Sequence, residues 1–160
     1  MIVLGIDPSN TRHAWALLDR KEVLGFGRDY MEEVNKHQML DVQLVVIEMI
    51  ASYGMAVGSH TFDTCVEIGK LMRIMETSAQ DVRRITRVEV KRIVCRSVKA
   101  SDTNVRAAVI DYFGGPGAIK KGGQLYGASK DVWAALAVAI AASSGEARWY
   151  TPVADMELLA

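Results

Sequence analysis

Hydrophobic positions in this chain first recur as short runs that end in carboxylates. Ile2, Val3, Leu4 and Ile6 form an apolar run interrupted by Gly5, the pattern of a strand buried on both faces. It ends in Asp7, and Pro8 holds Asp7 extended. His13 to Asp19 (HAWALLD) and Glu22 to Arg28 (EVLGFGR) flank Arg20 and Lys21. They predict a tight hairpin, so the first three strands form an antiparallel meander. Met31 to Met39 is a short polar segment that predicts a helix. Val42 to Glu48 (VQLVVIE) is a second apolar run with a carboxylate at its end. A helical crossover would set the two runs side by side in parallel, bringing Asp7 and Glu48 to one edge of the sheet.

Further on, the period lengthens. Met49 to Gly58 is a Gly-containing loop carrying Tyr53. His60 to Glu76 places Phe62, Val66, Leu71, Ile74 and Met75 near helical spacing. Gly69 inside it costs helix stability, which predicts close packing against another element. Val82 to Val88 predicts a short basic strand, and Val90 to Cys95 and Thr103 to Phe113 two helices. Gly114, Gly115 and Pro116 end the second helix. Ala118 to Leu125 is a basic, Gly-rich loop, expected to be mobile. Lys130 to Ala142 (KDVWAALAVAIAA) is apolar nearly all round and predicts a buried helix. Ser129 is its expected N-cap, with Asp131 in the first turn, where the helix dipole favours negative charge. Residues 144–160 carry no usable pattern. No repeat or linker divides the chain, so one α/β domain over residues 1–160 is expected.

Composition adds limits. No stretch approaches the ~18 continuous apolar residues of a membrane span, and Asp7 and Pro8 interrupt the N-terminal run too early for a secretory leader. Cys65 and Cys95 lack CxxC spacing. They are expected to be buried free thiols in a reducing, cytoplasmic compartment. The net charge is zero, but unevenly distributed. Residues 1–80 hold 7 basic and 11 acidic side chains, residues 81–130 hold 11 and 4, and residues 131–160 hold 1 and 4. A basic middle suits either an anion-binding face or a solvated helical surface.

Asp7, Glu48 and Asp131 therefore stand out, two at strand ends and one at the start of a buried helix. Asp7 alone could equally open a turn with Pro8, Ser9 and Asn10. Together, oxygen ligands select hard cations such as Mg²⁺, with Mn²⁺ as a substitute. Such ions can activate water for phosphodiester cleavage, and the basic middle could hold phosphates.

At these residues the chain resembles the RuvC-type Holliday junction resolvases of the RNase H-like superfamily, and their phage-encoded branch in particular. The similarity lies in the GIDPS turn, the VVIE strand end, the IASYGM loop and the KDVWAALAVA helix, and spans residues 2 to 142. The resemblance implies a five-stranded mixed sheet flanked by helices and a homodimer in the cytoplasm, that of the host cell for a phage-encoded protein. It also implies Mg²⁺-dependent paired nicking of four-way DNA junctions, without an organic cofactor or a membrane. Asp7, Glu48 and Asp131 fall on the family's acidic positions. Lys91, in a Val-Lys pair, falls where the cellular enzymes contact substrate near the cut. In one respect the chain departs: Ala134 stands where cellular RuvC proteins have a further acid, which puts the ligation of a second metal in question.

Several of the remaining candidates keep two readings. Lys120 and Lys121 suit a phosphate clamp or a solvated loop, and Arg92 and Lys130 extend the DNA-binding set. Tyr53 could stack on a base or pack on the protein. His13, His37 and His60 share no metal-ligand spacing and read as surface or satisfied histidines. Asp63 and Glu67, at i, i+4 spacing, suit a solvated helix face ahead of a metal site, and Trp15 and Trp133 the core. Competing functions are an inactive junction-binding protein, consistent with Ala134, and a small-molecule phosphotransferase. GIDPSNT also resembles the first phosphate loop of actin-like ATPases, but those need a second such domain.

Overall fold

The computed structural model describes residues 1–36, 41–52, 54–79 and 81–151. In chain order the elements are β1 (Ile2–Asp7), β2 (His13–Asp19), β3 (Glu22–Asp29), α1 (Met31–Lys36), β4 (Leu44–Met49), α2 (Ser59–Met75), β5 (Asp81–Thr86), α3 (Arg87–Cys95), α4 (Asp102–Tyr112), a 3₁₀ turn (Pro116–Ile119) and α5 (Val132–Ser143). The strands form one sheet in the order β3-β2-β1-β4-β5. β1, β2 and β3 pair antiparallel, whereas β1–β4 and β4–β5 pair parallel. This is the five-stranded mixed sheet expected of an RNase H-like fold.

Alternation along each strand divides the core in two. Val3, Ala14, Ala16, Leu18, Leu44, Val46 and Ile85 pack on one face with α3, α4 and α5. Leu4, Ile6, Trp15, Leu17, Val45 and Ile47 pack on the other with Ile68, Leu71 and Met75 of α2. The same parity carries Asp7 and Glu48 onto the α5 face. Gly5 lies on that face two residues before Asp7. A Cβ there would sit 2.5 Å from the Ala135 carbonyl oxygen and 2.6 Å from the Ala139 amide nitrogen. Glycine in the strand and alanines in the helix therefore let α5 lie almost against β1. Trp133 is buried in the same layer, as expected, and Trp15 in the other, where its indole N–H donates to Asp29 at 2.7 Å.

Several expectations are corrected. β5 stops at Thr86, and α3 begins at Arg87 instead of Val90, because the Thr86 hydroxyl caps the helix by accepting from the Glu89 amide. In α2 the core stripe is Thr64, Ile68, Leu71 and Met75, whereas Phe62 and Val66 are 62% and 57% exposed. Among the described residues nothing beyond the helix's own nearby backbone lies within 4 Å of a Cβ placed at Gly69, so the expected close packing against another element is not found there. Cys65 and Cys95 are free but only partly buried. The basic loop after the 3₁₀ turn is cross-braced, its Leu125 amide donating to the Ala118 carbonyl at 2.8 Å. Both of those side chains are buried. Ser129 does not cap α5. Its carbonyl accepts the Val132 amide in a turn, and Asp131 occupies the cap. The reason is local: Lys130 has φ of 37°, outside the helical range, so the helix cannot begin before Asp131. His37 and the end of the predicted Met31–Met39 helix lie outside the described residues. Among those described, no helix is long and apolar enough to cross a membrane.

Gly5→Ala is expected to destabilise the chain by about 1–3 kcal/mol, the usual cost of overpacking a close-packed core. Urea denaturation checks this, and a variant as stable as wild type would show that α5 can lift without cost.

Candidate active site

Sheet register assembles the site. Asp7 pairs with Ala14 of β2, and Ala14 pairs with Arg28 of β3. On the other side Ile6 pairs with Ile47 of β4, so Glu48 follows beside Asp7. Glu48 pairs with Ile85 of β5, and Arg87 follows two residues later at the start of α3. Arg28, Asp7, Glu48 and Arg87 thus cross the sheet as a row on one face, with the small Ala14 leaving room between the first two. Above that row stands Asp131, brought there by α5. Asp7, Glu48, Arg87, Asp102, Lys130 and Asp131 line an open cleft of about 650 Å³ with Arg106 and Ala134.

Electrostatics ties these groups together. Burial, followed by the charge of neighbouring Glu48, pushes the Asp7 carboxyl up to about 7. Burial also raises Glu48, against the opposing pull of Arg87. One guanidinium bridges two acids: Arg87 Nη1 lies 3.3 Å from Glu48 Oε2 and Nη2 2.6 Å from Asp102 Oδ1. Its hydrogen bond holds Asp102 below the usual carboxylate range. Asp131 pairs with Arg28 at 3.1 Å, and its carboxylate makes no capping bond to α5. As placed, among the described residues no three His, Cys, Asp or Glu side chains form a ready metal cage. Glu48 and Asp131 are turned toward arginines. The donor set is nevertheless all oxygen, and a buried carboxyl raised by a second carboxylate is an environment short of positive charge. That chemistry fits a hard divalent cation.

No family model matches the chain, and no curated protein is found to match it. Solved structures do. The chain is similar to Thermus thermophilus RuvC at a TM-score of 0.68 and 16% identity, over 94% of this chain and 100% of that one. It is likewise similar to T. thermophilus RuvC in complex with Holliday junction substrate, at a TM-score of 0.69 and 16% identity, over 94% and 99%. The chain has a RuvC-like fold.

On this RuvC-like frame the sequence-predicted residues separate into groups. Asp7, Glu48, Asp131 and Lys130 share the cleft. Lys91 does not line it, but stands close enough for its charge to lower Glu48 and Asp102. Arg92 is engaged within the chain by both Glu89 oxygens, at 2.9 and 2.7 Å, and by the Glu146 carbonyl. Lys120 and Lys121 are exposed on the braced loop, outside the cleft. Tyr53 lies outside the described residues. His13 is buried, not a surface histidine: the Ser9 amide donates to its Nδ1, while Nε2 faces Glu67 at 3.9 Å. Asp63 is exposed on α2, and Glu67 pairs with Lys70.

Sequence patterns miss Arg87, Asp102 and Arg106. Arg106 stacks on Trp133, 5.0 Å from the ring. Only the basic excess of residues 81–130 hinted at the two arginines. Asp102 gave a weaker signal, as the acidic residue after a Ser cap.

The raised Asp7 pKa fixes a pH dependence for the metal-free chain. Between the unfolded value near 3.8 and the folded value of about 7, the folded state holds a proton that the unfolded state has lost. Stability therefore falls as pH rises through that window. One unit is worth about 1.4 kcal/mol, and partial exposure trims the total. Asp7→Asn is thus expected to stabilise the metal-free protein by about 1–3 kcal/mol at pH 8 and by almost nothing at pH 4. Thermal melts in EDTA check this, and an equal effect at both pH values would overturn it.

Proposed function

We propose that this chain is a structure-specific endodeoxyribonuclease that resolves four-way or other branched DNA junctions by paired, Mg²⁺-dependent phosphodiester hydrolysis. The observation that carries this reading is the meeting of Asp7, Glu48 and Asp131 in one basic-rimmed cleft, on a fold shared with a RuvC solved in complex with a Holliday junction substrate. Asp7, Glu48 and Asp131 would hold the metal, with Mn²⁺ able to replace Mg²⁺. When bound, the ion supplies water activation and stabilisation of charge on the leaving oxygen.

The chain's own residues have separate parts in this reading. Lys130 and Arg106 rim the cleft and meet phosphates, which position DNA without reading its sequence. Lys91, by its family resemblance and its nearness to Glu48, stabilises charge at the scissile phosphate. Lys120 and Lys121 extend the grip beyond the cleft. Arg92, held by Glu89, is left out of the contact set.

Paired nicks need two sites related by a two-fold axis, which is the reason for assigning a homodimer. The outward face of α2 supports it: Phe62 and Val66 are exposed, and among the described residues the space over Gly69 is open. A glycine with nothing above it invites the close approach of a second helix. Met55 and Val57, also exposed, extend the apolar area, and such patches mark interaction surfaces.

Asp7→Asn is expected to bind a synthetic four-way junction like wild type, yet lose cleavage by at least about 10²–10³-fold, the scale for removing one group that acts in the transition state. Single-turnover cleavage with and without Mg²⁺, beside a binding titration, measures both. Normal nicking by Asp7→Asn would sink the assignment. A wild-type chain that binds but never cuts would be a junction-binding protein. Val66→Glu is expected to turn a dimer into a folded monomer in sedimentation velocity. A wild-type monomer, both free and on junction DNA, would remove the dimer.

A further inference from the structure

We propose that the Arg87 guanidinium, held between Glu48 and Asp102, is a resident cation of the active site that replaces a second metal ion, so that the site works with one. This rests on the nuclease reading above.

The first support is a charge count around the cleft. Four carboxylates line it: Asp7, Glu48, Asp102 and Asp131. Glu48 and Asp102 share Arg87, and Asp131 has Arg28. Asp7 alone has no ion-pair partner among the described residues. Arg106 and Lys130 also line the cleft but pair with none of the four among the described residues. Asp7 is therefore the one carboxylate left open to a cation, which suits one divalent ion there and not two. Ala134, one helical turn beyond Asp131 and also facing the cleft, offers no donor for a second.

The second support is the way Arg87 is held. Arginine keeps its charge at any working pH and presents a planar fork to oxygens, including those of phosphate. Its side chain is only 27% exposed and lines the cleft from the start of α3, so its reach is short and its direction set. Asp102 belongs to a rigid frame. Ser101 and Asn104 form a reciprocal capping box at the start of α4, the Ser101 hydroxyl accepting from the Asn104 amide and Asn104 Oδ1 from the Ser101 amide. The Asp102 carboxylate is therefore not needed as a cap and is free to hold Arg87. We assign Asp102 as the positioning residue and Arg87 as the group that faces the scissile phosphate.

The test uses Mn²⁺ as the probe, titrated into the full chain and followed by electron paramagnetic resonance. Wild type is expected to bind one Mn²⁺ per chain. Arg87→Gln frees Glu48 and is expected to tighten Mn²⁺ by about 10-fold or more, the scale on which partners of metal ligands act. The same variant is expected to slow single-turnover junction cleavage by about 10²–10³-fold, the scale for losing a transition-state donor, with no recovery at high Mg²⁺. Asp102 is 83% exposed, so Asp102→Asn will fold. It is expected to let the guanidinium settle on Glu48, weakening Mn²⁺ binding and slowing cleavage less than Arg87→Gln does. Two Mn²⁺ per wild-type chain, wild-type cleavage by Arg87→Gln, or its rescue by Mg²⁺ would each overturn the proposal. A wild type that cuts no junction instead removes the nuclease reading and the catalytic half of this proposal, while the Mn²⁺ shift in Arg87→Gln still decides whether Arg87 neutralises the site.

Discussion

The close approach of α5 to β1 over Gly5 is the constraint on which the site depends. A helix packed on a sheet through ordinary side chains would ride higher and carry its N-terminus away from the strand ends. Here the strand gives up a side chain and the helix offers Ala135 and Ala139, so backbone meets backbone. Asp131 then overhangs the same cleft as Asp7. The rest of α5 is apolar and buried, which leaves hydrophobic burial to hold the helix down. The position of one carboxylate relative to another is thus set by the core and not by any bond between them.

That geometry gathers negative charge in a place poor in water. Burial disfavours the ionised forms of Asp7 and Glu48, and the charge of Glu48 adds to it at Asp7. The fold answers with arginines from two different elements, Arg28 from β3 and Arg87 from α3, which pair with Asp131 and Glu48. The carboxylates of the cleft are thus partly balanced by the chain's own cations. Under the proposed function, an entering ion would have to draw Glu48 and Asp131 away from Arg87 and Arg28.

Much of this was legible in the chain because strands report their own ends. Asp7 and Glu48 close apolar runs, and register then makes them neighbours. The meander, the parallel crossover and the buried last helix follow from periodicity and turn chemistry. What was not legible depends on contacts between distant segments. Arg87 and Asp102 are ordinary surface residues by pattern; the β4–β5 register sets Arg87 beside Glu48, and the packing of α3 beside α4 brings Asp102 to Arg87. The α2 stripe was misassigned because Phe62 and Val66 are as apolar as core residues but face outward. Periodicity cannot tell a core face from a face meant for another surface. Likewise Ser129 has the chemistry of a cap, and the left-handed backbone at Lys130 moved the helix start past it.

The braced loop that carries Lys120 and Lys121 changes how a long, stiff polymer would meet this protein. A floppy basic arm wraps its target and gives up conformational freedom in doing so. Here Ala118 and Leu125 are tucked into the core and their backbones are joined, so the freedom was surrendered when the chain folded. Under the proposed function, any phosphate contact by the two lysines would then cost the ordering of their side chains but little ordering of backbone. Such a braced loop would favour partners whose shape already reaches both it and the cleft, and disfavour those that would have to bend to do so.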